Sequence, residues 1–239
     1  MRIKHLSILV LSLFLLAVVF QNCGSDVQFA VDKSKLTSLG GEDVICDPFS
    51  STTNCSDGSG LKGSLYYLAS DDGTSPRNVV DDIIQNGLRA PWPVVFSQFD
   101  VDDRTWTDGF PSTDGLMKNA DGQPLVEWFA FHLKGAISIK PGGVTEYEFA
   151  TFSDDGSIMW IDGVKVVSHD GQHSPSWMCG GAKVTLSPGV LHSMELKYFQ
   201  GPRDRIALRV MWRPWSESGR PCGEAFTPVP SSVLFQAVQ

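Results

Sequence analysis

YEFATFSDDGSIMWIDGVKVV, residues 147–167, is the stretch that decides the fold. Apolar and aromatic residues occupy both faces of two short runs, 146–152 and 158–161, as strands buried in a core require. Asp162-Gly163 between apolar runs predicts a hairpin, because glycine supplies the positive φ of a primed turn. Asp154 and Asp155 stand at the end of the first run, where carboxylates must be solvated, paired or bound to a cation. That strand end is the expected functional edge.

Outward from it, short β-type runs recur at 65–68, 94–96, 127–133, 136–139, 164–167, 183–186, 192–199 and 206–212, punctuated by Gly, Pro and Asp. Many short strands at this spacing predict an all-β, antiparallel β-sandwich or barrel. Residues 79–88 are the one helical stretch expected. Asp100-Val101-Asp102-Asp103 begins like a calcium loop, but Thr105 stands where the turn glycine belongs and Pro111 where the closing carboxylate belongs. A solvated loop is expected there, and a solvated turn at the other Ser-Asp-Asp-Gly copy, Ser70 to Gly73.

The start of the chain reads as an export signal. Arg2 and Lys4 precede an almost unbroken apolar run from Leu6 to Phe20, too short for a comfortable membrane span. Cys23 follows directly, which resembles the lipobox of bacterial lipoproteins, although Gln21 and Asn22 replace the usual small residues. Residues 1–22 are then the signal peptide and Cys23 the lipidated N-terminus; the alternative is plain secretion with a free thiol. Gly24 carries no acidic retention signal, which favours the outer membrane of the envelope. Residues 23–59, rich in Ser, Thr, Asp and Gly, read as a tether, 60–215 as the folded domain and 216–239 as an extended tail. A domain of that size buries about two thirds of its unfolded surface, enough for one core.

Setting Cys23 aside leaves Cys46, Cys55, Cys179 and Cys222, an even set that allows three pairings. Close spacing favours Cys46 with Cys55, and Cys179 with Cys222 would then staple a loop to the tail. The net charge of −8, or −10 once Arg2 and Lys4 leave with the signal, argues against nucleic acid as a partner. No Gly-x-Ser-x-Gly, His-Glu-x-x-His or phosphate-loop pattern is present, and no Cys-x-x-Cys. Glu127, Glu146, Glu148 and Glu195 are the acids that a glycosidase would have to pair; the expectation is no enzyme. His169 and His173 lie near Cys179, but without a helix to align the histidines, and with the cysteine wanted for a bridge, zinc is not expected.

Several segments together resemble the protective-antigen-type (PA-fourteen) domain: GLKGSLYY at 60–67, EWFAFHLKG at 127–135, residues 147–167, VTLSPG at 184–189 with HSMELKYF at 192–199, and IALRVMW at 206–212. The resemblance implies a β-sandwich and carbohydrate recognition. In lectin-like members the aspartate pair holds calcium through a cis peptide, and a later loop completes the site. Here that implies Asp154 and Asp155, with the loop 200–205 supplying Gln200, where the family has Asn, and Asp204. Ligand binding is assigned to Asp154, Asp155, Trp177, Arg203 and Asp204, Trp177 offering an indole face to a sugar. Two bland readings stand beside these: the aspartates cap a tight turn through backbone N–H bonds, and Trp177 is an ordinary loop tryptophan. The expected function is a lipid-anchored, lectin-like module for adhesion or polysaccharide recognition, with calcium as cofactor; the alternative is a structural or protein-interaction module.

Overall fold

Alternation and glycine turns build two open sheets packed face to face, with no closed barrel. The computed structural model describes residues 45–46, 58–68, 76–105, 111–112, 115–116 and 126–236, all within the unit Glu42–Gln239. Cys23, Cys55 and the Ser70–Gly73 turn lie outside them, as does the side chain of Cys46. The lipidation and the proposed Cys46–Cys55 bridge therefore have no structural counterpart here.

The elements in order are β1 (Ile45–Cys46), β2 (Leu61–Tyr67), α1 (Val80–Asn86), β3 (Leu88–Phe96), β4 (Asp100–Thr105), β5 (Pro111–Ser112), β6 (Gly115–Leu116), β7 (Phe129–Ile137), β8 (Glu146–Asp154), β9 (Ser157–Ile161), β10 (Val164–His169), β11 (Ser176–Cys179), β12 (Val184–Thr185), β13 (His192–Gln200), β14 (Arg205–Pro214), β15 (Thr227–Pro228) and β16 (Leu234–Gln236). Sheet A runs β1-β3-β2-β7-β13-β9-β10, with β16 also on β7. Sheet B runs β11-β8-β14-β15, with β12 on β8 and β4 on β14; β5 and β6 form a small hairpin. Pairing is antiparallel except for β1 with β3.

Phe96, Phe131, Leu133, Leu196 and Tyr198 of sheet A meet Phe149, Ile206, Leu208 and Val210 of sheet B in one buried core. Stacked and edge-on rings, such as Phe96 with Phe131 at 4.9 Å, fill its centre. The hairpin after β9 forms as expected: Asp162 and Gly163 both take positive φ, 49° and 75°. Asp162 also accepts the Ser193 N–H at 2.8 Å, which ties the hairpin to β13.

Three expectations are corrected. The runs 127–133 and 136–139 are one strand, β7, because Gly135 continues the ladder with β13 and β16. Asp100–Asp103 is not a loop but part of β4, drawn onto β14 by cross-strand ion pairs, Arg209–Asp100 at 2.8 Å and Arg205–Asp103 at 2.6 Å. The tail is not an appendage, since β15 joins sheet B and β16 joins sheet A.

What pins the tail is Arg213, a buried residue on β14. Its guanidinium donates to Glu148 Oε2 at 2.9 and 2.8 Å and to the carbonyls of Ser218, Arg220, Pro221 and Glu224. Phe226 covers one face at 4.4 Å. The Cys179–Cys222 disulfide, Cα to Cα 5.8 Å, clamps the same segment to β11, as anticipated. Among the described residues no helix is long and apolar enough to cross a membrane.

Candidate functional site

Moving along β8 from Phe149, the space between the sheets turns from apolar to polar. Thr151, Ser153, Ser157 and His169 are buried there, linked Ser157 to Thr151 at 2.9 Å, Ser153 to Ser157 at 3.0 Å and Ser153 to His169 at 3.3 Å. Burial pushes the His169 imidazole down to about 4, so it stays neutral. His173 stacks on it at 3.8 Å between centroids. Cys179 is held in its disulfide, so its sulfur does not join the two histidines as a thiolate.

At the end of β8 the Asp154–Asp155 peptide is cis, the feature the resemblance implied for the aspartate pair. Both side chains are only 4 % exposed. Asp155 is clamped by two distant loops: the His173 N–H donates to Oδ1 at 2.9 Å and the Gly201 N–H to Oδ2 at 2.6 Å. Turn capping was the bland reading, but these bonds are tertiary, tying β8 to residues 18 and 46 positions away. A Cβ at Gly201 would stand 2.8 Å from Asp155 Oδ2, so a side chain there would press on the clamped carboxylate. Burial raises the Asp155 carboxyl against the opposing pull of those two N–H donors.

Asp154 is perturbed further. Burial first, then the Asp155 and Asp204 carboxylates, push it up to about 7, against a lowering hydrogen bond from Gln200. Beneath it the buried Tyr198 hydroxyl shares its one proton between the Asp154 carbonyl at 2.7 Å and Gln200 Oε1 at 2.8 Å. Burial also drives the Tyr198 phenol well above its usual range, so it remains a donor.

The expected site residues therefore part company. Asp154 and Asp155 share the strand end, and the exposed Asp204 on the late loop acts on both through its charge. Gln200 is corrected: fully buried, it accepts from Tyr198 and donates to the Arg205 carbonyl at 2.8 Å, which shapes the late loop and leaves its oxygen facing inward. Trp177 is corrected too. It lies on β11 rather than in a loop, against Phe152 at 5.3 Å and Phe226 at 6.0 Å, with Gly223 close to the indole. Arg203 stands on the late loop in an ion pair with Glu127, whose Oε2 also accepts the Arg203 N–H.

The aspartate pair suits a hard cation. Each Asp155 oxygen accepts one N–H and keeps a further lone pair, and the raised Asp154 carboxyl marks negative charge that a cation would relieve. Among the described residues no three His, Cys, Asp or Glu side chains group as a metal cage, so backbone or water oxygens would have to complete the shell.

The glutamates weighed for hydrolysis are dispersed. Glu146 pairs with Lys183 at 2.7 Å, Glu148 with Arg213 and Glu195 with His132 at 2.7 Å, while Glu127 holds Arg203. Glu148 is buried rather than solvent-facing. No two of the four share a partner in these pairs.

Sequence reasoning missed the backbone donors of His173 and Gly201, the Tyr198 hydroxyl and Trp128. The Trp128 N–H donates to the Gly201 carbonyl at 3.2 Å, which puts that residue beside the rim. Only the inward register of Tyr198 on β13 left a trace in the sequence.

Residues 121–224 match the family model of the PA14 domain, and that segment of the chain is a PA14 domain. The match starts later than the resemblance at Gly60 and reaches past Trp215 to include Cys222. Among solved structures, the chain is similar to a "PA14 sugar-binding domain from RTX adhesin" (21 % identity, TM-score 0.53, 75 % of this chain and 99 % of that one). It is also similar to the PA14 domain of the MpAFP antifreeze protein (16 % identity, TM-score 0.54, 74 % and 90 %). An anti-sigma factor domain-containing protein matches at 17 % identity and TM-score 0.48, over 76 % of this chain; the chain spans about half of its length, 49 %. These identities establish likeness of fold. No curated protein matches the sequence.

Proposed function

We propose that this PA14 domain is a carbohydrate-binding, lectin-like module and not an enzyme. The observation that carries the reading is the Asp154–Asp155 pair, buried at a rim, clamped by two loops, with Asp154 pushed up to about 7. A fold maintains such charge at a cost in stability, and that cost is typical of binding sites. The sugar-binding adhesin domain among the structural neighbours supports the same reading. Asp154 and Asp155 would hold a calcium ion, with Asp204 as a third carboxylate nearby. A cation held there would supply coordination positions open to sugar hydroxyls. The chain's own part is to fix Asp155 through the His173 and Gly201 amides and to keep the rim dry through Tyr198 and Gln200.

On this reading the apolar N-terminal run and Cys23 anchor the module in the envelope, the outer membrane by preference, for adhesion or polysaccharide recognition. Metabolic labelling with a palmitate analogue tests the anchor: Cys23→Ser is expected to abolish incorporation, and retained label would refute it.

The central test is an oligosaccharide array probed with the secreted domain, with calcium and with chelator. Retention of a glycan that is lost with chelator and in Asp154→Asn is expected. Absence of any retained glycan sinks the lectin reading, and chelator-resistant binding removes the ion. A protein-docking module is the second reading, favoured by the exposed aliphatics Val164, at the start of β10, and Val190 and Leu191, just before β13. Pull-down from envelope extracts with Leu191→Asp as control addresses it.

A further inference from the structure

Trp128 is a bulky residue held at φ 57°, a conformation that side chains of its size seldom adopt and that points to an imposed role. A closed circuit of contacts sets it at the rim. Gly201, whose N–H clamps Asp155, gives its carbonyl to the Trp128 N–H. The Arg77 guanidinium lies over the Trp128 ring at 4.9 Å. The Arg77 carbonyl accepts the Gln172 amide at 3.2 Å, and the next residue, His173, donates its N–H back to Asp155. Gln172 also flanks Gly201, its Cγ being 3.5 Å from where a Gly201 Cβ would lie. Arg77 and Trp128 are each half-buried, Trp128 resting on the cluster of Val80, Ile83 and Phe199, so part of the stack faces solvent.

We infer that the Arg77–Trp128 stack is the specificity wall of the saccharide site, against which a pyranose ring packs while its hydroxyls address the Asp154–Asp155 rim. The chemistry suits that ligand class. A guanidinium lying flat on an indole is pre-organised, and the flat surfaces match the CH face of a sugar. This wall rests on the lectin reading above and adds residues that the aspartate motif does not contain.

The test compares wild type, Arg77→Ala, Trp128→Gly and Trp128→Phe on an array of neutral and uronic-acid oligosaccharides, followed by titration with the tightest glycan found and by thermal melting. Glycine accepts the positive φ at 128, so Trp128→Gly deletes the ring without opposing the backbone. Arg77→Ala decides the matter if that variant fails to fold. Expected is about a tenfold or greater loss of affinity in Arg77→Ala and Trp128→Gly, equivalent to about 1.4 kcal/mol, with Trp128→Phe recovering most of it. Unchanged affinity in Arg77→Ala, with Asp154→Asn inactive, overturns the wall and leaves the lectin reading standing. A lowered melting temperature with wild-type affinity also overturns it, as a purely structural role. A wild type that retains no glycan removes the lectin reading and the wall together.

Discussion

Two regions of sheet B bury charge, and they do so in opposite ways. Around Arg213 the charge is neutralised: Glu148 faces it across the β8–β14 ladder, four carbonyls take its remaining N–H groups and Phe226 closes the face. Further along β8, burial first and then the Asp155 and Asp204 carboxylates raise the Asp154 carboxyl, burial and Asp204 raise that of Asp155, and the basic residues of the late loop, Arg203 and Arg205, pair with Glu127 and Asp103 instead. The first arrangement holds the tail in place. The second concentrates like charge where stability alone would disperse it, and this contrast separates structural from functional burial on one strand.

The largest effect should come from breaking the satisfied region. Glu148→Ala leaves the buried Arg213 cation without its partner and is expected to cost about 3–5 kcal/mol in denaturant unfolding. A loss below about 1 kcal/mol would mean that the four carbonyls suffice and the contrast is overstated. Replacing Cys179 and Cys222 by serine should cost about 2–4 kcal/mol, read from unfolding curves with and without reductant. Equal stability would show that Arg213 alone fastens the tail.

At the rim the sign reverses. A carboxyl raised from its usual 3.8 to about 7 in the folded state contributes stability that is complete below about pH 4 and is lost as pH rises through about 7. Asp154→Asn should therefore gain about 1–3 kcal/mol at pH 8 while abolishing glycan retention, and its melting temperature should vary less between pH 4 and 8. Destabilisation at pH 8 would refute the claim of uncompensated charge. The smallest change belongs to neither region. Lys183→Ala removes the half-exposed pair with Glu146 and should shift stability by less than about 0.5 kcal/mol; a larger shift in the same melts would signal an unseen coupling.

How much was legible follows from the range of each interaction. The hairpin at Asp162-Gly163 was plain because φ preference is a property of the residues themselves. The core strands were plain because apolar and aromatic residues crowd β8 and alternate with polar ones along β13. Asp100–Asp103 misled because isolated carboxylates read as solvated, and only Arg205 and Arg209 arriving on β14 make them a strand. Trp177 misled because the sequence does not record which way a half-buried side chain turns once a tail covers it, and Gln200 because Tyr198 and the Arg205 carbonyl turn it inward. Trp128 carried no signal, since its place depends on a carbonyl 73 residues later.

By itself the sequence determined the class of fold and the acidic strand end, both consequences of local backbone preference and burial pattern, and it favoured the Cys179–Cys222 pairing without deciding among the three possible ones. Only the tertiary structure decided which oxygens remain available at the rim, that the tail completes both sheets and that Arg77 meets Trp128. Those outcomes depend on loops distant in sequence meeting in one low-dielectric place, and there the cost of an unpaired charge is set by its neighbours rather than by its own chemistry.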